Sequence, residues 1–218
     1  MQPNEEKLTT QRLRMVEHQL RARGIEDERV LEAFMEVPRE QFVPPSHRHN
    51  TYADRPLPIG GGQTISQPFV VGLMLQKLQL QPEDVVLDVG CGSGYQTALL
   101  SRLARHVYAI ERIEELTEQA RTRLADCDYT NITLKTGDGS LGWPEHAPYQ
   151  GIICGAGSPD VPPAWIKQLD DGGNIVLPVG SEGAQQLVQI TRHGDEILKK
   201  PFCDVRFVPL IGKQGWKR

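Results

Sequence analysis

The sequence predicts a doubly wound α/β fold: a mostly parallel sheet with helices on both faces, an antiparallel C-terminal edge and an N-terminal helical extension. Three observations point there. Between residues 85 and 157 the short apolar segments "VVLDVG", "HVYAIE", "NITLKTGD" and "GIICGAG" alternate with amphipathic ones, which is the rhythm of βαβ units. A glycine cluster, "DVGCGSGY", follows the first apolar segment directly, as a tight strand-to-helix turn requires. Beyond residue 172, "GGNIVLPVG", "QQLVQITRHGDEILKK" and "DVRFVPLIG" read as strands joined by hairpins, with a turn at His193, Gly194 and Asp195. Such strands finish a parallel sheet with an antiparallel edge.

Taken in order, residues 10–23 place Leu13, Val16 and Leu20 at helical spacing and stop at Gly24, because glycine tolerates the left-handed conformation that ends a helix. Asp27 is the expected cap of a second helix carrying Val30, Leu31, Phe34 and Met35, which Pro38 ends. Residues 43–68 are rich in proline and hold the triplet Gly60, Gly61, Gly62, so an ordered loop over the front of the fold is expected. Residues 69–80 read as a mostly buried helix. Further helices are expected from Tyr95 to about Ala104 and from Ile113 to Leu124.

The 218 residues suffice for one sizeable core. With 24 Lys and Arg against 28 Asp and Glu, the formal net charge of −4 gives no general attraction to phosphate backbones or anionic lipid, so nucleic-acid and membrane partners are not expected. The four cysteines, Cys91, Cys127, Cys154 and Cys203, form no C-x-x-C pair, which fits reduced thiols in the cytoplasm. No apolar run is long enough to span a bilayer, and "MQPNEEKLTTQRLR" lacks the apolar stretch of a secretory signal. His47 and His49 have no third ligand nearby in the sequence, so no metal is expected. No exposed apolar stripe stands out, and a monomer is expected.

The cluster Gly90, Gly92, Gly94 has the spacing G-x-G-x-G, with Tyr95 where a dinucleotide fingerprint wants its third glycine. Asp88, two residues before it, suits a cation better than a pyrophosphate. Glu111 closes the next strand about twenty residues on, where an acid reaches a ribose. Asp138 and Gly139 close the third, where a carboxylate could accept from an adenine amino group. A nucleoside with a positively charged tail satisfies all three acids, and S-adenosylmethionine is such a ligand. The competing reading is a glycine turn needed only for packing a helix against the sheet.

The segments "LPIGGGQTISQP", "LDVGCGSGYQTALL", "GDGSLGWPEHAPY" and "VRFVPL" together resemble the protein-L-isoaspartate O-methyltransferase family, from about Leu13 to Gly212. The resemblance implies a Rossmann-like class I S-adenosylmethionine-dependent methyltransferase of one domain. Within it, residues 1–68 would supply N-terminal helices and an active-site loop, 69–180 the cofactor-binding core, and 181–218 C-terminal strands near the peptide site. It implies methyl transfer to the free α-carboxylate of isoaspartyl residues in damaged, aged or unfolded proteins and peptides, and a succinimide that reopens partly to aspartate. Ser66 matches the family's hydroxyl at the reaction centre, and Thr64 and Ile65 match residues lining the cofactor and acceptor pocket. Gly90, Gly92 and Gly94 match the cofactor loop, Glu111 the ribose acid, Asp138 with Gly139 the adenine end, and Val208 the stretch near the bound peptide. The family often has Glu where Asp88 stands and Thr where Cys91 stands.

An acceptor carboxylate has a reference pKa of roughly 4 and needs no general base at neutral pH. The site must instead align it and strip its water, which suits a glycine loop carrying the Thr64 and Ser66 hydroxyls. Ser66 could equally be the N-cap of the helix that begins near Pro68. Two rivals remain at this point: a methyltransferase for another acceptor, disfavoured for a base nitrogen because "GAGSPDVPP" carries no aromatic, and a cofactor-binding protein without catalysis.

Overall fold

The computed structural model describes residues 3–217. Helix α1 (Pro3–Met15) continues through a π-type turn (Val16–Leu20) and a 3-10 turn (Arg21–Arg23) to Gly24, whose φ of 92° is left-handed. Val16 and Leu20 are buried as expected, but Leu13 is 45% exposed and Met15 is buried instead. Helix α2 (Glu28–Glu36) begins as the sequence predicts: Asp27 accepts hydrogen bonds from the amides of Arg29 and Val30.

The proline-rich stretch is more regular than an ordered loop. After 3-10 turns at Arg39–Gln41 and Pro45–Asn50 it forms a hairpin, β1 (Leu57–Gly60) with β2 (Gln63–Ile65). Gly60, Gly61 and Gly62 all have positive φ, which is what lets the chain reverse so tightly. Leu57, Ile59 and Ile65 point inward, so alternation over very few residues fixes which face is buried.

Helix α3 (Pro68–Leu78) buries Val71, Met74, Leu75 and Leu78. There follow β3 (Val85–Val89), α4 (Tyr95–Leu103), β4 (His106–Glu111), α5 (Glu114–Asp126), β5 (Ile132–Thr136), β6 (Tyr149–Cys154), α6 (Pro163–Gln168), β7 (Leu169–Gly180), β8 (Gln185–His193) and β9 (Glu196–Val205). The seven-stranded order is β5-β4-β3-β6-β7-β8-β9. Strands β3 to β7 pair in parallel, and β8 and β9 add antiparallel ladders. The expected mostly parallel sheet with an antiparallel edge is what forms. One strand does not: "DVRFVPLIG" leaves β9 at Val205 and runs on as an extended segment held by isolated bridges, Gly157 to Pro209 and Ile211 to Trp216.

Two apolar layers sandwich the sheet. Val86 packs with α1 to α4 and the hairpin, whereas Leu87 and Val89 pack with Ile152, Trp165 and Ile175 on the other side. The period-2 alternation of β3 therefore puts Asp88 on the same face as Val86, under α4. The chain reverses direction across the sheet between β3 and β6, and in open α/β sheets ligands bind beyond the carboxyl ends of the strands at that point. The outer strand β9 exposes Glu196, Ile197, Leu198, Lys199, Lys200 and Pro201 in succession.

Candidate active site

At the switch point β3 and β6 end side by side, and the Gly155 amide donates to the Val89 carbonyl at 2.9 Å. A Cβ on Gly155 would sit 3.2 Å from the Gly90 carbonyl oxygen, so a glycine here keeps the crevice open. Above it runs a cleft lined by Gly90, Gly92, Glu111, Ile113 and Gly139, and by Thr64 and Val208. Gly90 and Gly92 have φ of 79° and 51°, conformations that leave their backbone facing the cleft.

Glu111 is 7% exposed. Its Oε2 accepts the Gly92 amide at 3.1 Å and its Oε1 the Ile113 amide at 2.9 Å. Each oxygen keeps a free lone pair, so the carboxylate both shapes the loop and can accept two further hydroxyl donors.

The other two acids stand elsewhere than the sequence reading put them. Asp88 is fully buried and does not line the cleft; its Oδ1 accepts from Gln96 Nε2 at 2.7 Å and its Oδ2 from Thr97 Oγ1 at 2.6 Å. Burial pushes its carboxyl up to about 6, a rise that the bonds from Thr97 and Gln96 temper and the Glu111 charge augments. Asp138 is taken up by the chain itself: Oδ1 accepts from the amide and hydroxyl of Ser140 at 3.0 and 2.6 Å, and Oδ2 from the Lys213 amide at 2.8 Å. Burial would raise this carboxyl, but the bonds from Ser140 and Lys213 outweigh it and hold Asp138 below the usual range. Its neighbour Gly139 does line the cleft, and has no room for a Cβ, which would lie 2.5 Å from Val89 Cγ1.

Gly94 likewise does not line the cleft. With φ of 89° it begins α4, and a Cβ there would meet Ala120 Cβ at 3.3 Å. It allows α4 to approach α5, which is the packing role of a glycine turn, whereas Gly90 and Gly92 line the cleft.

The hairpin lies over the loop. A Cβ on Gly92 would come within 3.1 Å of Ile59 Cδ1, and one on Gly61 within 3.2 Å of Ile113 Cδ1. On its far side opens a second groove, about 830 Å3, walled by Pro56, Ser66, Val70, Arg206, Phe207 and Val208. A small cavity beneath the hairpin is bounded by Ile65, Ser66, Cys91, Ser93 and Tyr95. Thr64 and Gly155 border all three spaces. Ser66 borders the groove and the small cavity. It does not cap α3: the residue before that helix is Gln67, and no side chain caps it.

Sequence reasoning missed the C-terminal strap. The Val208 carbonyl accepts the Gly157 amide, the Leu210 amide donates to the Gly157 carbonyl, both at 2.8 Å, and the Gln214 amide donates to Ser140 Oγ at 3.0 Å. Leu210 and Ile211 complete the cleft wall. Burial pushes the Cys91 thiol well up, so it is a small filler and not a nucleophile. Trp143 is buried loop packing, edge-on to Tyr108. No group of three His, Cys, Asp or Glu side chains among the described residues could hold a metal ion, and no helix among them is long and apolar enough to cross a membrane.

The sequence profile of protein-L-isoaspartate(D-aspartate) O-methyltransferases matches residues 11–215. A protein-L-isoaspartate O-methyltransferase from Protochlamydia amoebophila is 52% identical over 205 residues, covering 93% of this chain and 98% of its own. One from Marinobacter nauticus is 54% identical over 204 residues, with 93% of each chain covered. Among solved structures, a protein-L-isoaspartate O-methyltransferase superposes with a TM-score of 0.83 at 28% identity, over 94% of this chain and 67% of that one. A Plasmodium falciparum protein assigned to the same activity, in complex with S-adenosyl-L-homocysteine, superposes with a TM-score of 0.81 at 25% identity, over 92% and 98%.

Proposed function

The chain belongs to the protein-L-isoaspartate(D-aspartate) O-methyltransferase family, and on that premise we propose how its own residues carry out the reaction. It is a repair methyltransferase that uses S-adenosylmethionine to esterify the free α-carboxylate of L-isoaspartyl residues in damaged proteins and peptides. The observation that carries the residue assignment is that Thr64 and Gly155 border both the cleft and the groove. The two glycine-rich segments thus divide the work: "GCGSG" and Glu111 hold the donor, and the hairpin with Thr64, Ile65 and Ser66 covers it and aims the acceptor.

S-adenosylmethionine supplies an electrophilic methyl group on a sulfonium. Its nucleoside suits the cleft: the Gly90 and Gly92 backbone allows close approach, Glu111 has two lone pairs for ribose hydroxyls, and Gly139 with Leu210 walls the adenine end. Asp88 acts at a distance, through the field of its buried carboxylate beneath the loop. The acceptor lies in the groove beside Val208. The Thr64 and Ser66 hydroxyls donate to its carboxylate, which is ionised at neutral pH and needs no base. The hairpin excludes water from that anion and holds one oxygen in line for attack. The neighbouring backbone nitrogen then attacks the ester carbonyl, the methoxy group leaves as methanol with the proton from that N–H, and the succinimide so formed takes up water and reopens partly to aspartate.

The cleft draws on residues 1–68, 69–180 and 181–218 alike, which supports reading them as one methyltransferase domain that works as a monomer. Four unpaired cysteines and the net charge of −4 support a cytoplasmic enzyme of protein and peptide acceptors, without nucleic-acid or membrane partners. Paired synthetic peptides differing only in Asp or isoAsp linkage test the reading with labelled cofactor. Base-labile label on the isoAsp peptide alone is the expected result, and equal or absent labelling of both would overturn it.

A further inference from the structure

Arg39 is 0% exposed and forms no ion pair with a carboxylate among the described residues. Its Nε donates to the Thr51 carbonyl and its Nη2 to the Ser66 carbonyl, each at 2.9 Å, while Nη1 makes no hydrogen bond. The guanidinium carbon lies 4.9 Å from the centre of the Tyr95 ring. Burial pushes the guanidinium below the usual arginine range, and Tyr95, Tyr52 and Asp54 offset this only in part. Two carbonyl oxygens do not call for a buried cation, since a neutral amide or a water molecule satisfies them at lower desolvation cost.

The location explains the expense. Ser66 and Tyr95 both wall the small cavity under the hairpin, so Arg39 stands directly behind that wall and touches two of its members. Ser66 has no other anchor of this kind: it follows the last residue of β2, and the helix after it starts at Pro68 without a side-chain cap. A planar guanidinium that spans Thr51 and Ser66 fixes both the position and the tilt of that peptide.

We propose that Arg39 is a positioning residue for methyl transfer: through the Ser66 carbonyl it fixes the backbone that aims the Ser66 hydroxyl, and its charge favours an anionic acceptor on the other side of the wall. This rests on the orienting role given to Ser66 above.

The test is a double-mutant cycle of Arg39→Lys with Ser66→Ala, reading kcat and KM for an isoAsp peptide, calorimetric affinity for S-adenosylhomocysteine, and melting temperature. Lysine keeps the charge but cannot span both carbonyls. Arg39→Lys is expected to lower kcat/KM about tenfold, leave cofactor-product affinity within about twofold, and cost less than about twofold once Ser66 is already alanine. Arg39→Gln, which keeps one donor without the charge, carries the same cycle if the lysine variant does not fold, and is expected to raise KM as well. The same fold loss in both Ser66 backgrounds, or a loss that only follows melting temperature and cofactor affinity, would overturn the role of Arg39. Parental turnover in Ser66→Ala alone would instead remove the role of Ser66, and the coupling with it.

Discussion

The Glu111 carboxylate accepts the amide of Gly92 at 3.1 Å across the turn that joins β3 to α4, so one side chain sets the loop conformation and faces the ligand cleft. Glu111→Gln can keep only one of its two backbone partners, because its Nε2 would face an N–H. Affinity for S-adenosylhomocysteine should fall about tenfold to a hundredfold, as expected for a hydrogen bond to a charged group. Turnover at saturating cofactor should change little. Titration calorimetry on the variant checks this, and an unaltered dissociation constant would remove Glu111 from the site.

Ser66→Ala separates orientation from helix capping. With no cap to lose, stability should stay within about 0.5 kcal/mol of the parent, while kcat falls about tenfold and cofactor affinity holds. A loss near 1 kcal/mol in denaturant unfolding, the usual consequence of losing a cap, would reinstate the capping role.

Asp88 predicts a pH dependence. Its carboxyl is raised from 3.8 to about 6 by burial, so the folded protein binds the proton more tightly than the unfolded chain, and stability falls as pH rises through that window. The cost of the buried charge is fully present above about pH 6 and vanishes below about pH 4. Asn can accept from Gln96 and donate to the Thr97 hydroxyl. Asp88→Asn should therefore be about 2–3 kcal/mol more stable at pH 8, relative to the parent, than the same comparison gives at pH 4. Urea unfolding at the two pH values decides it, and a difference of opposite sign would show that the carboxylate is well solvated or paired.

Asp138 distinguishes a contact to adenine from a latch on the chain. Asp138→Ala frees the Ser140 and Lys213 groups, and cofactor affinity should fall about tenfold as the strap loosens. Deleting residues 213–218 should cause the same loss, with little added when the two are combined. Should the deletion leave affinity intact while Asp138→Ala weakens it, the carboxylate touches the ligand directly.

The alternation of short strands and helices made the sheet legible in the sequence, and the glycine cluster with Glu111 located the cleft. Side-chain direction was less legible. Asp88, Glu111 and Asp138 all stand at or near strand ends, yet only Glu111 borders the cleft itself, because a spacing counts residues and does not say which donors will claim a carboxylate first. Gly94 shares the motif with Gly90 and Gly92, but the helix it must approach, α5, arrives from twenty-odd residues further on. The hairpin within 43–68 was hidden because each strand has at most four residues, too few for period-2 alternation to register. Arg39, between proline and glutamate in "VPRE", reads as an ordinary surface charge. Only tertiary packing buries it.

The outer ladder of β9 is an open sheet margin. Extended segments of other chains, with free amides and carbonyls, add readily to an open sheet margin. Here the margin offers two consecutive ammonium groups, Lys199 and Lys200, and then Pro201, which has no N–H to give. A stray strand arriving there meets repulsion for basic sequences and a broken ladder for the rest. The lysines and the proline thus work against strand addition beside the exposed Ile197 and Leu198 of the same edge.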